Sequence, residues 1–233
     1  PSDETNLAYR AAVMLREATG VRSGARIEIE KRIPVAGGLG GGSSNAACAL
    51  IGLARLWQVA SNEREVLDLA SSLGSDVPFF LLGGTALGIG RGEEVYPVEE
   101  VTCENLLLAN PCLEVSTADA YGRLSQLTRS KSARIIPFAL LAAKGNRAPL
   151  LSASNDLEEA VLAAYPKVAE LKERLLVLGA RHALMSGSGA TVFGVFDNGE
   201  SCERARSEVR AAGCWAECAR AINRQEYNDT IFE

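Results

Sequence analysis

A chain of 233 residues, 47% hydrophobic and 23% charged, has ordinary globular composition, enough for one or two compact domains and a sizeable core, which excludes intrinsic disorder. Its net charge of −5, with no block of lysines and arginines, argues against a nucleic-acid surface. No apolar run is long enough to span a bilayer and no signal-peptide pattern occurs, so neither membrane insertion nor secretion is expected.

The six cysteines form no C-x-x-C pair, and the single histidine, His182, lies well upstream of Cys214 and Cys218. A zinc site is not expected; reduced, mostly buried thiols in a cytoplasmic protein fit the pattern better. One histidine also argues against a Ser-His-Asp hydrolase, and His182 reads as a core or edge residue.

In chain order, Leu7, Ala11, Met14, Leu15 and Ala18 recur at helical spacing and predict a helix from about Asn6 to Ala18, stopped by Gly20. Ile27, Ile29, Lys31 and Ile33 alternate with Glu28, Glu30 and Arg32, which predicts a half-exposed strand. A glycine-rich turn and a helix from about Ser43 to Trp57 follow, then a helix from about Asn62 to Leu73 with Ser61 as N-cap. Glycines between residues 83 and 92 separate two short apolar runs, Thr85–Gly90 and Glu94–Val98, and predict a hairpin.

Leu106–Ala109 reads as a buried strand, and Thr117 as the cap of a short helix holding Tyr121 and Leu124. Irregular stretches at 128–132 and 144–147 read as loops. Helices are expected at Asp156–Ala164 and Pro166–Leu178, strands at about His182–Met185 and Thr191–Phe196, a helix near Glu200–Ala212 and a last strand near Trp215–Ile222. A β-turn-β-α-β ending of this kind predicts an open sheet covered on one side by helices.

The segment richest in chemistry is Pro34-Val35-Ala36-Gly37-Gly38-Leu39-Gly40-Gly41-Gly42-Ser43-Ser44, which leads directly into an alanine-rich helix. Glycines leave backbone N–H groups accessible and permit positive φ, and the following helix aims its unpaired N–H groups and positive dipole end at the same point. Ser43 and Ser44 add hydroxyls that suit a helix cap, a phosphate oxygen or a metal. The physical reading is a polyphosphate cradle, set against the plainer one of a glycine-rich strand-to-helix turn. It is neither a P-loop, since no lysine lies between Lys31 and Lys131, nor a G-x-G-x-x-G fingerprint, whose sixth position falls on Ser43 or Asn45.

This segment resembles the second motif of the GHMP small-molecule kinases. Asp3-Glu4-Thr5-Asn6-Leu7, Gly74-Ser75-Asp76-Val77-Pro78-Phe79-Phe80 and Met185-Ser186-Gly187-Ser188-Gly189-Ala190-Thr191-Val192-Phe193 are similar to further family segments, in the family's order. The resemblance implies an α+β, two-domain fold: a ribosomal-S5-like ATP-binding domain over 1–103, incomplete, and a ferredoxin-like domain over 104–233. It also implies ATP and Mg²⁺, the latter through Ser43 or Ser44. The implied substrate is a cytidine-diphosphate-linked methylerythritol, phosphorylated on a hydroxyl for isoprenoid synthesis. Homoserine, mevalonate and galactose kinases share the glycine motif and stand as alternatives.

Read alone, Asp76 terminates a helix in a Gly-Ser-Asp turn before proline. The resemblance places it on the family's catalytic base. Burial beside Phe79 and Phe80 would raise its pKa and neighbouring cations would lower it, and the sequence leaves that balance open. Ser186-Gly187-Ser188-Gly189 reads alone as a hairpin turn, and by resemblance as a loop that positions phosphates and substrate. Asn6 matches a segment near the adenine. Arg91, Lys31 and Arg32 read as exposed residues, and Cys48 as a small core residue.

The resemblance begins late. The family opens with a strand carrying Lys, Asn and Leu and continues to Gly-Tyr-His, whereas this sequence opens at Pro1-Ser2-Asp3. The expectation is that these residues alone lack the aspartate's lysine partner and the cytosine contacts, leave a sheet edge open, and bind nucleotide without catalysing transfer.

Overall fold

The computed structural model describes residues 3–59, 63–127, 151 and 153–232. The loops expected at 128–132 and 144–147, and the cap expected at Ser61, lie outside them. The chain divides into two compact units, one drawn from Pro1–Arg32, Gly40–Val98 and Asn223–Glu233, the other from Ile33–Leu39 and Glu99–Ile222. This differs from a linear cut at 103/104. Seven residues of the glycine-loop region go with the second unit, and the last residues rejoin the first.

The first unit is mainly helical. Its helices are α1 (Leu7–Thr19), α2 (Gly41–Leu56), α3 (Glu63–Leu73) and the single turn α4 (Phe79–Leu82), followed by the hairpin β1 (Ala86–Ile89) and β2 (Glu94–Pro97). Asn6 caps α1 by accepting from the Ala8 N–H at 2.9 Å, and Gly20, at φ 68°, ends it by donating to the Arg16 carbonyl. In α2 the small residues Ala46 and Ala47 share a buried face with Leu50 and Leu53, opposite Ala11 and Leu15 of α1. Alanines there let the two helix backbones approach closely at little cost in side-chain entropy.

One expected element is not formed. The 27–33 segment alternates as a strand should, yet it is not in a ladder among the described residues, and Ile27, Ile29 and Ile33 are each about two-fifths exposed (40%, 37% and 41%). Alternation encodes which side chains share a face; a strand also needs a neighbour to take its N–H and C=O groups. Here Ala25, Ile27 and Ile29 instead line a groove against Cys48, Ala49 and Leu56 of α2. Arg26 pairs with Glu28 and Arg32 with Glu30 along the segment.

The second unit is built on an antiparallel sheet of β3 (Leu106–Asn110), β4 (His182–Met185), β5 (Val192–Val195) and β6 (Trp215–Ala219), in the order β4-β5-β3-β6. With the intervening helices this is the strand order of a ferredoxin-like β-α-β-β-α-β unit. The helices are α5 (Thr117–Leu127), α6 (Glu158–Ala164), α7 (Pro166–Val177) and α8 (Gly199–Ala211). Pro166 sits in the first turn of α7, and α8 is capped by Asn198, whose side chain accepts from the Ser201 N–H. Leu107 and Ala109 of the central β3 turn into a core with Val168, Leu171 and Leu175 of α7 and Ala205 and Val209 of α8.

A last helix, α9 (Arg224–Phe232), was not expected from the sequence and belongs to the first unit. Among the described residues no helix is long and apolar enough to cross a membrane. Leu50 is fully buried between α1 and α2. Leu50→Ala is expected to cost about 2–5 kcal/mol of stability, read as a lower urea midpoint with an unchanged helical circular-dichroism signal in the native baseline.

Candidate functional site

The glycine-rich turn is contorted in the way its composition allows. Ala36, Gly38 and Gly40 all lie at positive φ, 51°, 74° and 64°. In the second unit, the buried Gly37 accepts the Thr191 N–H at 3.1 Å and Gly38 accepts the Ser186 hydroxyl at 2.8 Å. Gly38 has no room for a side chain: a Cβ there would overlap the Ser186 carbonyl oxygen and come within 2.9 Å of that of Gly189. The turn Pro34–Leu39 and the loop Ser186–Gly189 are therefore packed backbone against backbone.

Buried polar groups hold this contact. Asn110, at the end of β3, donates its amide to the Thr191 hydroxyl at 3.0 Å and accepts the Leu113 N–H, and both Asn110 and Thr191 are fully buried. Asn155 donates to the carbonyls of Met185 (2.9 Å) and Gly187 (2.8 Å), bridging the two ends of the turn that leaves β4. Ser188 meets Thr117, the first residue of α5, through their hydroxyls at 3.1 Å. Glu158 accepts the Met185 N–H at 2.9 Å and pairs with Lys172 at 2.6 Å, which leaves that buried-side carboxylate neutralised. The 186–189 segment is thus more than a hairpin turn, since each of its flanks is fixed by a side chain from elsewhere.

In the first unit, Gly40 is the N-cap of α2 and supplies no side-chain bond to it. Ser43 and Ser44 lie inside the first turn and do not cap it, so the capping role open to them in the sequence is not taken up. The first-turn N–H groups are left pointing along the axis with the positive end of the helix dipole behind them. Leu7 packs within 3.5 Å of where a Gly42 Cβ would stand. Asn6 is engaged as the cap of α1.

Asp76 stands in the turn of residues 75–78, which is tied by Val77 N–H to Gly74 O and Phe80 N–H to Val77 O, both 3.1 Å. Val77 and Pro78 are buried while Asp76 is exposed, so the apolar stretch anchors the turn and leaves the carboxylate in water. Phe80 reaches from this turn to the cradle: a Cβ on Gly40 would fall 2.8 Å from its ring. The hairpin tip comes near from the other side, with a Gly92 Cβ position 3.9 Å from the Ser75 Cβ.

The remaining candidates are accounted for locally. Arg91 pairs with Glu93 at 3.4 Å, and the Glu93 carboxyl is held below its ordinary pKa by backbone N–H donors, its own first, and by Arg91. Cys48 is exposed rather than a core residue. Cys202 and Cys218 have sulfurs 3.0 Å apart, and burial raises both thiols. Among the described residues no group of three or more His, Cys, Asp or Glu could hold a metal ion.

The GHMP kinases N terminal domain profile matches residues 6–84 and the GHMP kinases C terminal profile matches residues 140–213. The chain belongs to the GHMP kinase family. Among curated relatives, 4-diphosphocytidyl-2-C-methyl-D-erythritol kinase of Gloeobacter violaceus is 47% identical over 203 residues, covering 84% of this chain and 67% of the relative. The same-named protein of Pelotomaculum thermopropionicum is 43% identical, covering 90% and 74%. A crystal structure of 4-(cytidine 5'-diphospho)-2C-methyl-D-erythritol kinase superposes with a TM-score of 0.79 at 36% identity, over 96% of this chain and 81% of that one. A homoserine kinase from Cytophaga hutchinsonii shares the fold, with a TM-score of 0.68 at 20% identity.

For this GHMP kinase, sequence reasoning missed Asn110, Asn155 and Thr191 as supports of the two loops. Asn110 had one usable signal, a polar residue closing the apolar run Leu106-Leu107-Leu108-Ala109. Asn155 lies in a Ser-Asn-Asp stretch that reads as ordinary turn chemistry.

Gly38→Ala adds a methyl group where backbone already stands, at a φ that L-residues disfavour. It is expected to destabilise the protein by about 1–3 kcal/mol, measured by denaturant unfolding against Gly24→Ala, a position with open space around it.

Proposed function

We propose that this chain carries the ATP-dependent phosphorylation of a hydroxyl of 4-diphosphocytidyl-2-C-methyl-D-erythritol, in the cytoplasm and toward isoprenoid synthesis. The observation that carries the reading is the 47% identity to a kinase of that name over 203 residues, which run through the cradle, the Asp76 turn and the 186–189 loop. Geometry supports it. An uncapped α2 N-terminus suits a polyphosphate, because phosphate oxygens can take the place of the missing cap and meet the favourable end of the dipole.

The residues Pro34, Val35, Ala36, Gly37, Gly38, Leu39, Gly40, Gly41, Gly42, Ser43 and Ser44 surround the nucleotide phosphates in this reading. Backbone N–H groups do most of the holding, and Asn6 lies toward the adenine. Ser186, Gly187, Ser188 and Gly189 position phosphates and substrate. Asp76, exposed and fixed on a rigid turn, takes the proton from the acceptor hydroxyl. Phosphoryl transfer asks mainly for such positioning and for charge neutralisation, since the transition state has little covalent chemistry for the protein to perform.

Magnesium fits these residues as a companion of the nucleotide. Ser43 or Ser44 would hold it by a hydroxyl, with the phosphates as its other ligands, and it would neutralise charge on the phosphate oxygens. Asp76→Asn keeps the shape and removes the proton acceptor. ATP affinity is expected to stay within about twofold while the transfer rate falls about 10²–10⁴-fold, measured as ADP release with ATP, Mg²⁺ and the cytidine-diphosphate substrate. Near-normal turnover would reduce Asp76 to a turn residue.

A second reading, nucleotide binding without transfer, is favoured by the 27–33 segment, which alternates as a strand but is unpaired among the described residues. The same assay separates the two: ATP binding without ADP release by residues 1–233 supports the second.

A further inference from the structure

α9 is a short, polar helix with little reason to exist on its own sequence. Within Arg224-Gln225-Glu226-Tyr227-Asn228-Asp229-Thr230-Ile231-Phe232 the charged and amide residues outnumber the apolar ones. Asn223 starts it by accepting the Glu226 N–H at 2.9 Å. What anchors it is contact with the segment that follows the Asp76 turn. Arg224 donates to the Thr85 carbonyl at 2.7 Å, and the Tyr227 hydroxyl donates to the Phe80 carbonyl at 2.5 Å. The Tyr227 ring packs on Gly83, where a Cβ would overlap it.

Tyr227 therefore meets α4 twice, at its C-cap Gly83 and at the carbonyl of Phe80. Gly83, at φ 69°, ends that helical turn with its N–H on the Phe79 carbonyl at 2.8 Å, and the ring closes over it. Phe80 is the second residue of that turn, and its carbonyl accepts the Tyr227 hydroxyl. Phe80 is also the residue whose ring touches Gly40, the N-cap of α2, while its N–H donates to the carbonyl of Val77, the residue after Asp76. One side chain thus restrains the residue that joins the phosphate end of α2 to the proposed base. Burial, with the nearby Cys48 adding to it, pushes the Tyr227 phenol up to about 12, so the hydroxyl remains a donor at any physiological pH.

We infer that Tyr227 is a positioning residue, which fixes the Asp76 turn against the N-terminus of α2 by holding Phe80. The inference rests on the kinase reading for its kinetic consequence and on packing alone for its structural one. A tyrosine that merely filled space would act through its ring; a positioning role requires the hydroxyl.

Tyr227→Phe separates these, because it keeps the ring on Gly83 and removes only the bond to Phe80. In residues 1–233, amide exchange at 76–82 is expected to speed up about fivefold or more, with α2 positions 46–53 unchanged. Leu50→Ala is the control that lowers stability elsewhere in the same unit, and it should raise exchange in α2. In the transfer assay, Tyr227→Phe should lower kcat about five- to twentyfold with the KM for ATP within twofold, a split that general loosening would not produce.

Unchanged exchange at 76–82, or a rise shared equally with 46–53, overturns the inference. So does accelerated exchange at 76–82 with unaltered kcat. If the unsubstituted chain releases no ADP, the kinase reading fails separately, and the exchange comparison alone decides for or against Tyr227.

Discussion

The bond from the Ser186 hydroxyl to the Gly38 carbonyl joins two glycine-rich turns 148 residues apart in the chain, and much of the second unit is arranged so that it can form. It requires bare backbone on one side, since any Cβ at Gly38 would occupy the space of the Ser186 and Gly189 carbonyls. On the other side it requires the turn between β4 and β5 to be held at a fixed height. That height is set by the β4–β5 register, Met185 opposite Val192, and by Asn155 and Thr191 at its flanks. A shift of one residue in either strand would turn Thr191 away from Gly37.

Such a contact is costly to assemble, because it buries polar groups that water would otherwise satisfy. Asn110 and Thr191 are fully enclosed, and each finds its partner: the amide on the hydroxyl, the Asn110 oxygen on the Leu113 N–H, and the Thr191 N–H on Gly37. An unsatisfied group in such a place costs about 1–3 kcal/mol, so the network is stable only as a whole. The surrounding core supplies the apolar support, with Phe196, Leu107, Leu175 and Val192 enclosed beneath it.

Most of the helices and strands were legible because each writes its own period and its own stops. Leu7 to Ala18 at helical spacing before Gly20, Pro166 at the head of α7, and the short apolar runs on either side of Ser-Gly-Ser-Gly all became elements within a residue or two. The 27–33 segment wrote the right period and formed no strand, because pairing is a property of two segments and a sequence window reports one. α9 failed in the opposite direction: its stability comes from Tyr227 and Arg224 reaching backbone carbonyls of Phe80 and Thr85, partners about 140 residues away that no local pattern announces. The glycine loop and the 186–189 turn were visible for a related reason, and the Asp76 turn through its resemblance to a family segment. Positive φ and missing side chains leave a signature in spelling, whereas the asparagines that brace those turns are common loop residues.

The absent cap on α2 has a consequence for the protein's lifetime. Gly40 gives up the side-chain bond that Ser, Thr, Asp or Asn provide at a helix start, a loss of roughly a few tenths of a kcal/mol when glycine is the cap. In the proposed reading an anion seated there would restore the missing partners, and the folded population would then depend on supply. A ligand at a hundred times its dissociation constant adds about 2.7 kcal/mol of stability. Since cleavage by cellular proteases follows the fraction of chains transiently open, the proposed nucleotide site would couple degradation to nucleotide abundance. In the proposed reading a replete cell would keep this protein longer than a starved one, through a cap position whose positive φ and contact with the Phe80 ring leave room for glycine alone.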